Sequence, residues 1–385
     1  MIKTSRRAFI ASAGIAGAGI AMMPSSLAKK RTDRIYAGKK LNVALVGLGS
    51  YSEILAEGLQ HSEYCRLAGV VTGHPAKGEA WKKKYDIPDK NIYNYENFDS
   101  IGGNRDIDLI YVVLPNSMHK EYTVRAAKAG KHVICEKPMA ISSQECREMI
   151  DACNKAGVQL AIGYRLHFEP YNLEMKRLGQ EKVFGPVRYV EAGLGYKTIN
   201  FESGKEGKDF DIDDPSEWRL NKRWSGGGAL MNLGVYCVQA SRYILGENPT
   251  SVTAQYGTVH DAKRFVQVEE CLVWQAMFPG GAMANSNTSY GYSIDGLSAI
   301  ADNGFFELSP AISYGPFKGR TSNGDLHFPE INQQAAQLDG IGRLILENKP
   351  LPDHIKGEEG LTDLCVIEAI YKAANSGGRV EVVYT

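Results

Sequence analysis

The segment GGGALMNLGVY, residues 226–236, carries an amide and a phenol among mostly apolar side chains. Asn232 and Tyr236 are four residues apart, so on an α-helix both side chains lie on one face. A phenol can donate and accept a hydrogen bond, and an amide can bind a hydroxyl group without carrying charge. We therefore expect a helix that aims both groups at one small polar ligand.

A lysine lies at the end of an apolar run in CEKPMA, residues 135–140. Because ligands of open α/β sheets bind beyond the carboxyl ends of the strands, we expect Lys137 and the preceding Glu136 to face a cofactor. Lysine is rarely a packing residue, although an ion pair with a nearby carboxylate would also explain Lys137. Pro138 is expected to fix the turn.

Two other predicted strand ends also carry candidate ligands. They are Leu114, Pro115, Asn116 and His119 after one strand, and Tyr164, Arg165 and His167 after the last. We expect the first group and Arg165 to contact the cofactor, and Tyr164 and His167 to contact the substrate. For His119, a hydrogen bond at the start of the next helix is the alternative.

The loop GLGSYS, residues 47–52, follows the first predicted strand and opens a helix. This is where dinucleotide-binding folds hold a pyrophosphate against a helix N-terminus. Gly47 allows the tight turn, and Gly49 allows the backbone to approach the pyrophosphate closely. Ser52 replaces the third glycine of the motif. The predicted cofactor contacts are Gly47, Leu48, Gly49, Ser50 and Tyr51. A plain glycine turn is the alternative.

The end of the second strand distinguishes the two nicotinamide cofactors. NAD sites usually offer an acidic residue there, whereas this chain has VVTGHPAK and no acid before Glu79. Thr72, His74 and Lys77 are instead suited to a 2′-phosphate. The sequence therefore favours NADP over NAD, with a solvated lysine as the alternative for Lys77.

These residues lie on a strict alternation of apolar strands and helices over residues 41–164, which indicates a doubly wound parallel Rossmann sheet. Over residues 165–385, strand-like runs follow one another with turn residues between them, from PVRYVEAGLGY to AISYGPF. Helices near 332–347 and 357–375 and a closing strand follow. The pattern predicts a second, α+β domain built on a mainly antiparallel sheet.

Composition excludes few classes. Lys+Arg and Asp+Glu both number 44, so no basic surface supports a nucleic-acid partner. The seven cysteines show no CxxC and the eight histidines no ligand spacing, so we expect free thiols and no metal site.

The first 28 residues resemble a twin-arginine export signal, with Arg6-Arg7 before a short Ala/Gly-rich run and a small-residue site at Ala28. The run is too short for a membrane span. We expect export to the periplasm, no membrane anchor, and a basic leader at 29–40. The alternatives are an ordinary export signal and a basic N-terminus that precedes a membrane anchor.

Many motifs in one order resemble the Gfo/Idh/MocA family of sugar dehydrogenases, in particular its glucose–fructose oxidoreductase branch. They cover about residues 40–378 and include VGLGSY, VVTGHPAK, VVLPNSMH, AGKHVICEKPMA, IGYRLHFEP, WRL and GGGALMNLGVYCVQASRYILGENP. The resemblance implies a Rossmann domain followed by a domain with a large open, mainly antiparallel sheet. It also implies a homodimer or homotetramer through that sheet.

The resemblance assigns roles to several residues. Lys137 is the lysine that binds substrate and cofactor ribose, and Tyr236 is the proton-transferring tyrosine. Thr72 and Lys77 match the contacts of the 2′-phosphate, and Trp218 with Arg219 matches a pair near the active site. The implied reaction passes a hydride from a sugar carbon to NADP while Tyr236 takes the hydroxyl proton, with the Lys137 ammonium favouring the phenolate. The glycines at 226–228 are expected to let the chain pass close to the cofactor.

Two departures from the family pattern change the expectation. Asn232 stands where the family usually has aspartate, and asparagine cannot accept a proton or balance the charge of Lys137. The leader is shorter than the arm that covers the cofactor in the related branch, which puts permanent cofactor retention and the tetramer in doubt.

Three functions follow from these residues. The favoured one is a periplasmic NADP-dependent aldose oxidoreductase, with dismutation of two sugars as its ping-pong form. The second is a glycoside 3-dehydrogenase or redox-assisted glycosidase, for which Asn232 is the argument. The third is a non-catalytic sugar-sensing protein, against which the presence of both Lys137 and Tyr236 argues.

Overall fold

The structure is a computed structural model that describes residues 39–197 and 211–384. The predicted export signal at 1–28 and residues 29–38 of the predicted leader lie outside the described residues.

The first sheet has six parallel strands in the order β3-β2-β1-β4-β5-β6. Its strands are apolar runs that are buried almost throughout, because helices cover both faces of a parallel sheet. The elements are β1 (Leu41–Val46), α1 (Ser50–His61), β2 (Cys65–Val71), α2 (Pro75–Tyr85), β3 (Ile92–Tyr93), β4 (Leu109–Val112), α3 (His119–Lys128), β5 (His132–Cys135), α4 (Ser143–Ala156) and β6 (Leu160–Ile162). The predicted Rossmann fold is confirmed.

The second sheet has nine strands in the order β14-β13-β12-β11-β7-β10-β9-β8-β15. It is mainly antiparallel, and β7 pairs with β10 in parallel. The elements are α5 (Pro170–Gln180), β7 (Val187–Gly195), α6 (Lys222–Ser225), α7 (Val235–Leu245), β8 (Ser251–Tyr256), β9 (Cys271–Met277), β10 (Met283–Ser289), β11 (Ile294–Ala301), β12 (Gly304–Leu308), β13 (Gly319–Thr321), β14 (Gly324–Leu326), α8 (Gln333–Leu346), α9 (Gly357–Ser376) and β15 (Val380–Glu381). Buried and exposed residues alternate along β9, as expected for a sheet with one face on the core.

One predicted strand is wrong. The run AISYGPF, residues 311–317, forms an irregular loop between β12 and β13. The carboxylate of Asp295 accepts hydrogen bonds from the backbone N–H groups of Ala311, Ile312 and Ser313, so these donors are not available to a strand ladder. Pro316 supplies no donor at all.

The two C-terminal helices pack against the Rossmann elements. Helix α8 packs on α1, where Asp339 accepts hydrogen bonds from the Ser62 hydroxyl at 2.5 Å and the Glu63 amide at 2.8 Å. Helix α9 packs on α4 and β8. The chain end therefore covers the sheet that carries the predicted cofactor loop.

Among the residues that the structure describes, none of the helices combines the length and hydropathy needed to span a membrane. Residues 39–197 and 211–384 also contain no group of three or more His, Cys, Asp or Glu side chains placed to share a metal ion.

Candidate active site

Lys137 and Tyr236 meet where the carboxyl end of β5 faces the start of α7. The Lys137 ammonium lies 4.3 Å from the centroid of the Tyr236 ring. It donates a hydrogen bond of 3.0 Å to the backbone oxygen of Asn232. The three predicted catalytic residues are thus together, and it is the main chain of Asn232 that holds the lysine.

The segment that carries Asn232 is a π-helix over Leu230–Gly234, and regular α-helix begins only at Val235. The Val235 amide donates to Leu230 O, five residues back, and the Thr288 hydroxyl donates to Ala229 O at 3.2 Å. In such a widened turn the α-helical spacing does not apply. Asn232 therefore lies in a π-helix and not in the expected α-helix, although both Asn232 and Tyr236 belong to the site.

The three glycines before this turn are required by packing against other protein groups. Gly226 has φ +79°, and a Cβ there would lie 2.7 Å from the Ile141 side chain. A Cβ on Gly227 would overlap the Tyr371 hydroxyl, and one on Gly228 would overlap the backbone of Glu269. The expectation that these glycines serve a close approach to the cofactor is therefore corrected.

Glu269 caps the start of the π-helix, a role that sequence reasoning missed. Its carboxylate accepts hydrogen bonds from the backbone N–H groups of Gly228 at 3.0 Å and Leu230 at 2.9 Å. The Tyr371 hydroxyl of α9 donates to the same carboxylate at 2.9 Å. An anion at a helix N-terminus is stabilised by the donors and the dipole there.

Arg165 approaches Tyr236 from the end of β6. Its Cζ lies 5.6 Å from the Tyr236 ring centroid and 4.4 Å from that of Tyr314. The pKa of Tyr236 is raised, chiefly by burial and further by the charge of Glu136, while the charge of Arg165 and a hydrogen bond from it offset part of this rise. Two cations thus lie close to the phenol, Arg165 and the Lys137 ammonium that stands over the ring face.

The charges around Lys137 oppose one another. Burial lowers the pKa of Lys137, Glu136 raises it, and Arg219 and Arg165 lower it. Burial raises the pKa of Glu136, whose Oε1 accepts a hydrogen bond from the Tyr111 hydroxyl at 2.6 Å. Glu136 thus points into the Rossmann domain, and its predicted contact with the cofactor is not supported by this orientation.

The loop after β1 has the shape that a dinucleotide requires. Gly47 has φ +93°, and a Cβ there would lie 2.5 Å from Val113 O. A Cβ on the exposed Gly49 would meet nothing within 4 Å, so the space before the N-terminus of α1 is open. The Ser52 hydroxyl donates to Gly47 O at 2.6 Å, which closes the loop and explains a serine at the third position. The residues present fit a pyrophosphate.

The other members of this loop extend toward the site. Leu48 is buried, Ser50 is exposed and begins α1, and Tyr51 is half-buried. Burial raises the pKa of Tyr51, and the neighbouring Glu136, Tyr314 and Tyr236 raise it further. Tyr51 therefore connects the predicted cofactor loop with the catalytic groups.

The end of β2 adjoins the same loop. The Lys77 ammonium donates to Leu48 O at 3.2 Å, and Thr72 Oγ1 accepts from the His74 amide at 3.2 Å. Glu79 is turned to Lys82, 3.5 Å away. The donors thus fit a 2′-phosphate, and no carboxylate of this segment is placed to bind ribose hydroxyls.

Asn116 and His119 hold the loops together. Asn116 is buried and donates from Nδ2 to Ser225 O at 2.8 Å. The ring nitrogens of His119 lie 2.8 Å from Leu114 O and 2.9 Å from Pro138 O, and burial lowers its pKa. His119 therefore positions the turns at Leu114 and Pro138. Pro115 lies between Leu114 and Asn116 in the first of these turns. Their contacts with a cofactor stay predictions.

Trp218 and Arg219 form a stacked pair, with the Arg219 Cζ 4.5 Å from the Trp218 ring. Arg219 is close enough to Lys137 to lower its pKa. The pair therefore lies beside the site, as predicted from the WRL motif.

The predicted substrate contacts of Tyr164 and His167 are wrong. The Tyr164 hydroxyl donates to Asp363 of α9. His167 is stacked between Tyr243, at 4.0 Å between centroids, and Tyr164, at 5.2 Å. Both are buried and serve packing, because the short 3₁₀ helix Arg165–Phe168 turns only Arg165 toward Tyr236.

Tyr314 is a site residue that sequence reasoning missed. It lies over Arg165, its charge raises the pKa of Tyr51, and the charge of Tyr236 raises the pKa of Tyr314. Its segment resembled a strand, so no local pattern distinguished it. The position of Tyr314 depends on Asp295, whose carboxylate shapes the loop. Asp295 is far from Tyr314 in sequence, so no spacing of residues reveals this contact.

Comparison with known proteins gives two family matches. Residues 41–164 match the Gfo/Idh/MocA group described as "Oxidoreductase family, NAD-binding Rossmann fold", and residues 172–299 match the GFO/IDH/MocA C-terminal domain.

Individual relatives cover nearly the whole chain. The crystal structure of an aldose–aldose oxidoreductase from Caulobacter crescentus, complexed with glycerol, is 39% identical, has a TM-score of 0.82, and covers 89% of this chain and 100% of its own. A D-xylose 1-dehydrogenase [NADP(+)] from Haloarcula marismortui is 27% identical over 88% of this chain and 92% of the relative. A D-glucoside 3-dehydrogenase from Escherichia coli is 25% identical over 89% and 97%. The chain therefore belongs to the Gfo/Idh/MocA family of NAD(P)-dependent oxidoreductases.

Proposed function

We propose that the protein oxidises and reduces aldoses with a tightly held NADP, and that it works as a dismutase on two sugars in turn. The observation that carries this proposal is the pair of cations on Tyr236, with Lys137 at 4.3 Å and Arg165 at 5.6 Å from its ring centroid. A phenol that serves as a base at neutral pH needs such help, since its ordinary pKa is near 10. The Caulobacter relative, named as an aldose–aldose oxidoreductase, supports the dismutase form.

In this proposal the residues of the chain manage the proton of the sugar hydroxyl. Tyr236 takes that proton, and the charge of Arg165 offsets part of the rise in the phenol's pKa that burial causes. Lys137, held by Asn232 O, donates a hydrogen bond to the sugar oxygen. The Asn232 amide binds a neighbouring hydroxyl but does not exchange a proton. The nicotinamide, when bound, supplies the acceptor for the hydride.

Two groups of residues would hold the cofactor. The backbone of Gly47–Tyr51 and the N-terminus of α1 would bind the pyrophosphate. Thr72 and Lys77 would bind the 2′-phosphate, which supports NADP over NAD. The xylose dehydrogenase relative is named for NADP, in agreement with this assignment.

The test is to denature the purified mature protein, identify the released nucleotide, and follow nicotinamide absorbance with a panel of aldoses. We expect about one NADP per chain and conversion of aldose pairs to aldonate and alditol without added cofactor. Release of NAD alone would refute the NADP assignment. Turnover that requires added NADP would refute retention and leave a simple dehydrogenase.

A second function is favoured by one residue. Asn232 replaces the usual aspartate and removes a charge from the site, and a relative is named as a D-glucoside 3-dehydrogenase. We propose oxidation at C3 of a glycoside as this alternative. A nitrophenyl glycoside separates the two: released nitrophenol or a 3-keto product supports the alternative, and lactone or aldonate from free aldose supports the first proposal.

We also propose export by the twin-arginine route, on the basis of Arg6-Arg7 in the predicted signal. Cell fractionation of the wild type and of the double variant Arg6→Lys/Arg7→Lys tests it. Periplasmic protein in the wild type and its loss from that fraction in the variant are expected.

A further inference from the structure

The loop over residues 309–318 is shaped by one carboxylate of the second sheet. Asp295 in β11 accepts from Ala311 N and Ile312 N through Oδ1, both at 2.8 Å, and from Ser313 N through Oδ2 at 3.0 Å. Three consecutive amides on one carboxylate fix the direction of the intervening peptide planes. The carbonyl oxygens of this turn are therefore available to a donor elsewhere.

Arg165 is the donor that these carbonyls receive. Its guanidinium donates to Ile312 O, to Ser313 O at 3.3 Å, and to Gln333 Oε1. Gln333 in turn donates from Nε2 to Tyr314 O at 3.2 Å. The side chain is 3% exposed, so it is held in one place by the loop and by α8.

The partners of Arg165 are neutral oxygen atoms. Among residues 39–197 and 211–384, no carboxylate forms an ion pair with Arg165, and its charge reaches Glu136 only at longer range. Carbonyl acceptors fix the position of a guanidinium without cancelling its charge. Arg165 therefore acts on Tyr236 at 5.6 Å from its ring centroid without a directly paired carboxylate, and Glu136 opposes this effect.

Several other ionisable groups face Tyr236. Lys137 follows β5 and lies over the ring, Glu136 precedes it, Tyr51 comes from α1, and Tyr314 comes from the loop. Lys137 can lose its proton, and its pKa is lowered by burial. An arginine stays protonated at every pH at which the protein is folded. The constant positive charge beside Tyr236 is thus that of Arg165.

We infer that Arg165 is the electrostatic partner that stabilises the Tyr236 phenolate, and that Asp295 is the positioning residue that holds Arg165 there through the turn at 311–313. The inference rests on the proposed function for the role of Tyr236 as a base. It adds Arg165, which helps the phenol to act as a base, and Asp295, which acts by positioning Arg165.

The test compares charge with position. Arg165→Gln removes the charge and keeps amide donors, Arg165→Lys keeps the charge, and Asp295→Asn weakens the hold on the turn. Asp325→Asn, at an exposed position of β14, is the matched control. We expect the rising limb of the kcat–pH profile to move up by about 1 pH unit or more in Arg165→Gln, the effect of losing a nearby cation. In Arg165→Lys, which keeps the charge, the limb should move up by less than in Arg165→Gln. In Asp295→Asn it should also move up, again by less than in Arg165→Gln.

A second readout does not depend on sugar turnover. NMR of tyrosine labelled at Cζ, with the Tyr236 signal assigned by its loss in Tyr236→Phe, gives the titration of the phenol in the resting protein. Titration at higher pH in Arg165→Gln and Asp295→Asn than in the wild type and Asp325→Asn supports the inference. Superimposable curves, including the case in which none titrates, overturn it.

The two readouts separate the proposals. A wild type that oxidises no aldose refutes the proposed function, and the NMR titration still decides the role of Arg165. A wild type that oxidises aldoses with a profile unchanged by Arg165→Gln refutes the inference alone. If Arg165→Gln does not fold, Arg165→Lys and Asp295→Asn provide the comparison.

Discussion

Tyr236 has a cation over its ring face and another beside it, and these two contacts have different consequences. The Lys137 ammonium at 4.3 Å makes a cation–π contact that needs only the ring. Arg165 acts on the charge of the phenol itself. Removal of the hydroxyl alone therefore separates proton transfer from the packing of the site.

We predict that Tyr236→Phe lowers kcat at least ~100-fold, the low end for loss of a general base. The phenyl ring keeps the contact with Lys137 but loses the hydrogen bond from Arg165, so the thermal midpoint should fall slightly while the amount of nucleotide released on denaturation stays unchanged. Steady-state kinetics and nucleotide release measure both effects. Tyr292→Phe, at an exposed position of the second sheet, is the control. Near-normal turnover in Tyr236→Phe would contradict the assigned role.

Lys77 is the residue that should distinguish NADP from NAD. It is exposed at the start of α2, and its ammonium lies 3.2 Å from Leu48 O. We predict that Lys77→Ala weakens NADP binding by roughly 5- to 10-fold, as expected for a partly solvated charge pair of about 1 kcal/mol. NAD binding should not change, because NAD lacks the 2′-phosphate.

Isothermal titration of cofactor-free protein with each nucleotide measures this preference. Lys83→Ala, on the exposed side of the same helix, is the control for general charge. An equal loss of NAD affinity in Lys77→Ala would mean that Lys77 supports the loop and does not read the phosphate.

The sequence predicts individual site residues correctly where they follow directly after a strand of the parallel sheet. Lys137, Gly47, Gly49 and Arg165 lie near the site because the carboxyl ends of parallel strands share one edge. Sequence reasoning failed for Tyr164 and His167, since the short 3₁₀ helix at the end of β6 turns Arg165 in a different direction from Tyr164, one position before it, and from His167, two positions after it. A local pattern does not record that turn.

At the scale of elements, the π-helix at Leu230–Gly234 connects the site to the second domain. Its start is capped by Glu269, and its Asn232 carbonyl holds Lys137. The patterns of strands and helices along the chain predicted both sheets, because each strand or helix is formed by contiguous residues. The π-helix could not be predicted in that way, since Glu269 is 41 residues from Gly228 in sequence.

We predict that Glu269→Ala lowers the free energy of unfolding by about 1–3 kcal/mol, because two backbone donors lose a half-buried partner. Turnover should fall as well, since the turn also places the carbonyl that holds Lys137. Glu269→Gln, which keeps one acceptor oxygen, should cost less. Urea unfolding and kcat are measured on the same preparations, with the exposed Glu330→Ala as control.

A double-mutant cycle tests whether Tyr371 belongs to this cap. Its hydroxyl donates to Glu269 at 2.9 Å, so Glu269→Gln and Tyr371→Phe should show a coupling of about 0.5 kcal/mol or more in urea unfolding. Additive effects would show that Tyr371 does not contribute to the cap of the π-helix and that Glu269 caps it without help from Tyr371.

At the scale of the whole molecule, a buried ion network joins the two sheets. Arg242 of α7 pairs with Asp363 and with Glu359, at 2.9 Å, both in α9, and Tyr164 at the end of β6 donates to Asp363. Helix α7 also carries Tyr236. The network therefore links the Rossmann sheet, the catalytic helix and the C-terminal helix.

This network implies that the two sheets unfold together. We predict that Asp363→Asn costs about 1.5–3 kcal/mol, because the buried Arg242 loses one charged partner and keeps Glu359. Tyr164→Phe removes one hydrogen bond to the same carboxylate and should cost only about 1 kcal/mol. Urea unfolding followed by tryptophan fluorescence and by far-ultraviolet circular dichroism measures both variants. The two probes should give coincident transitions, as expected for cooperative unfolding. Separate transitions, or a cost for Asp363→Asn no larger than that for Tyr164→Phe, would show that the sheets are stabilised independently of this network.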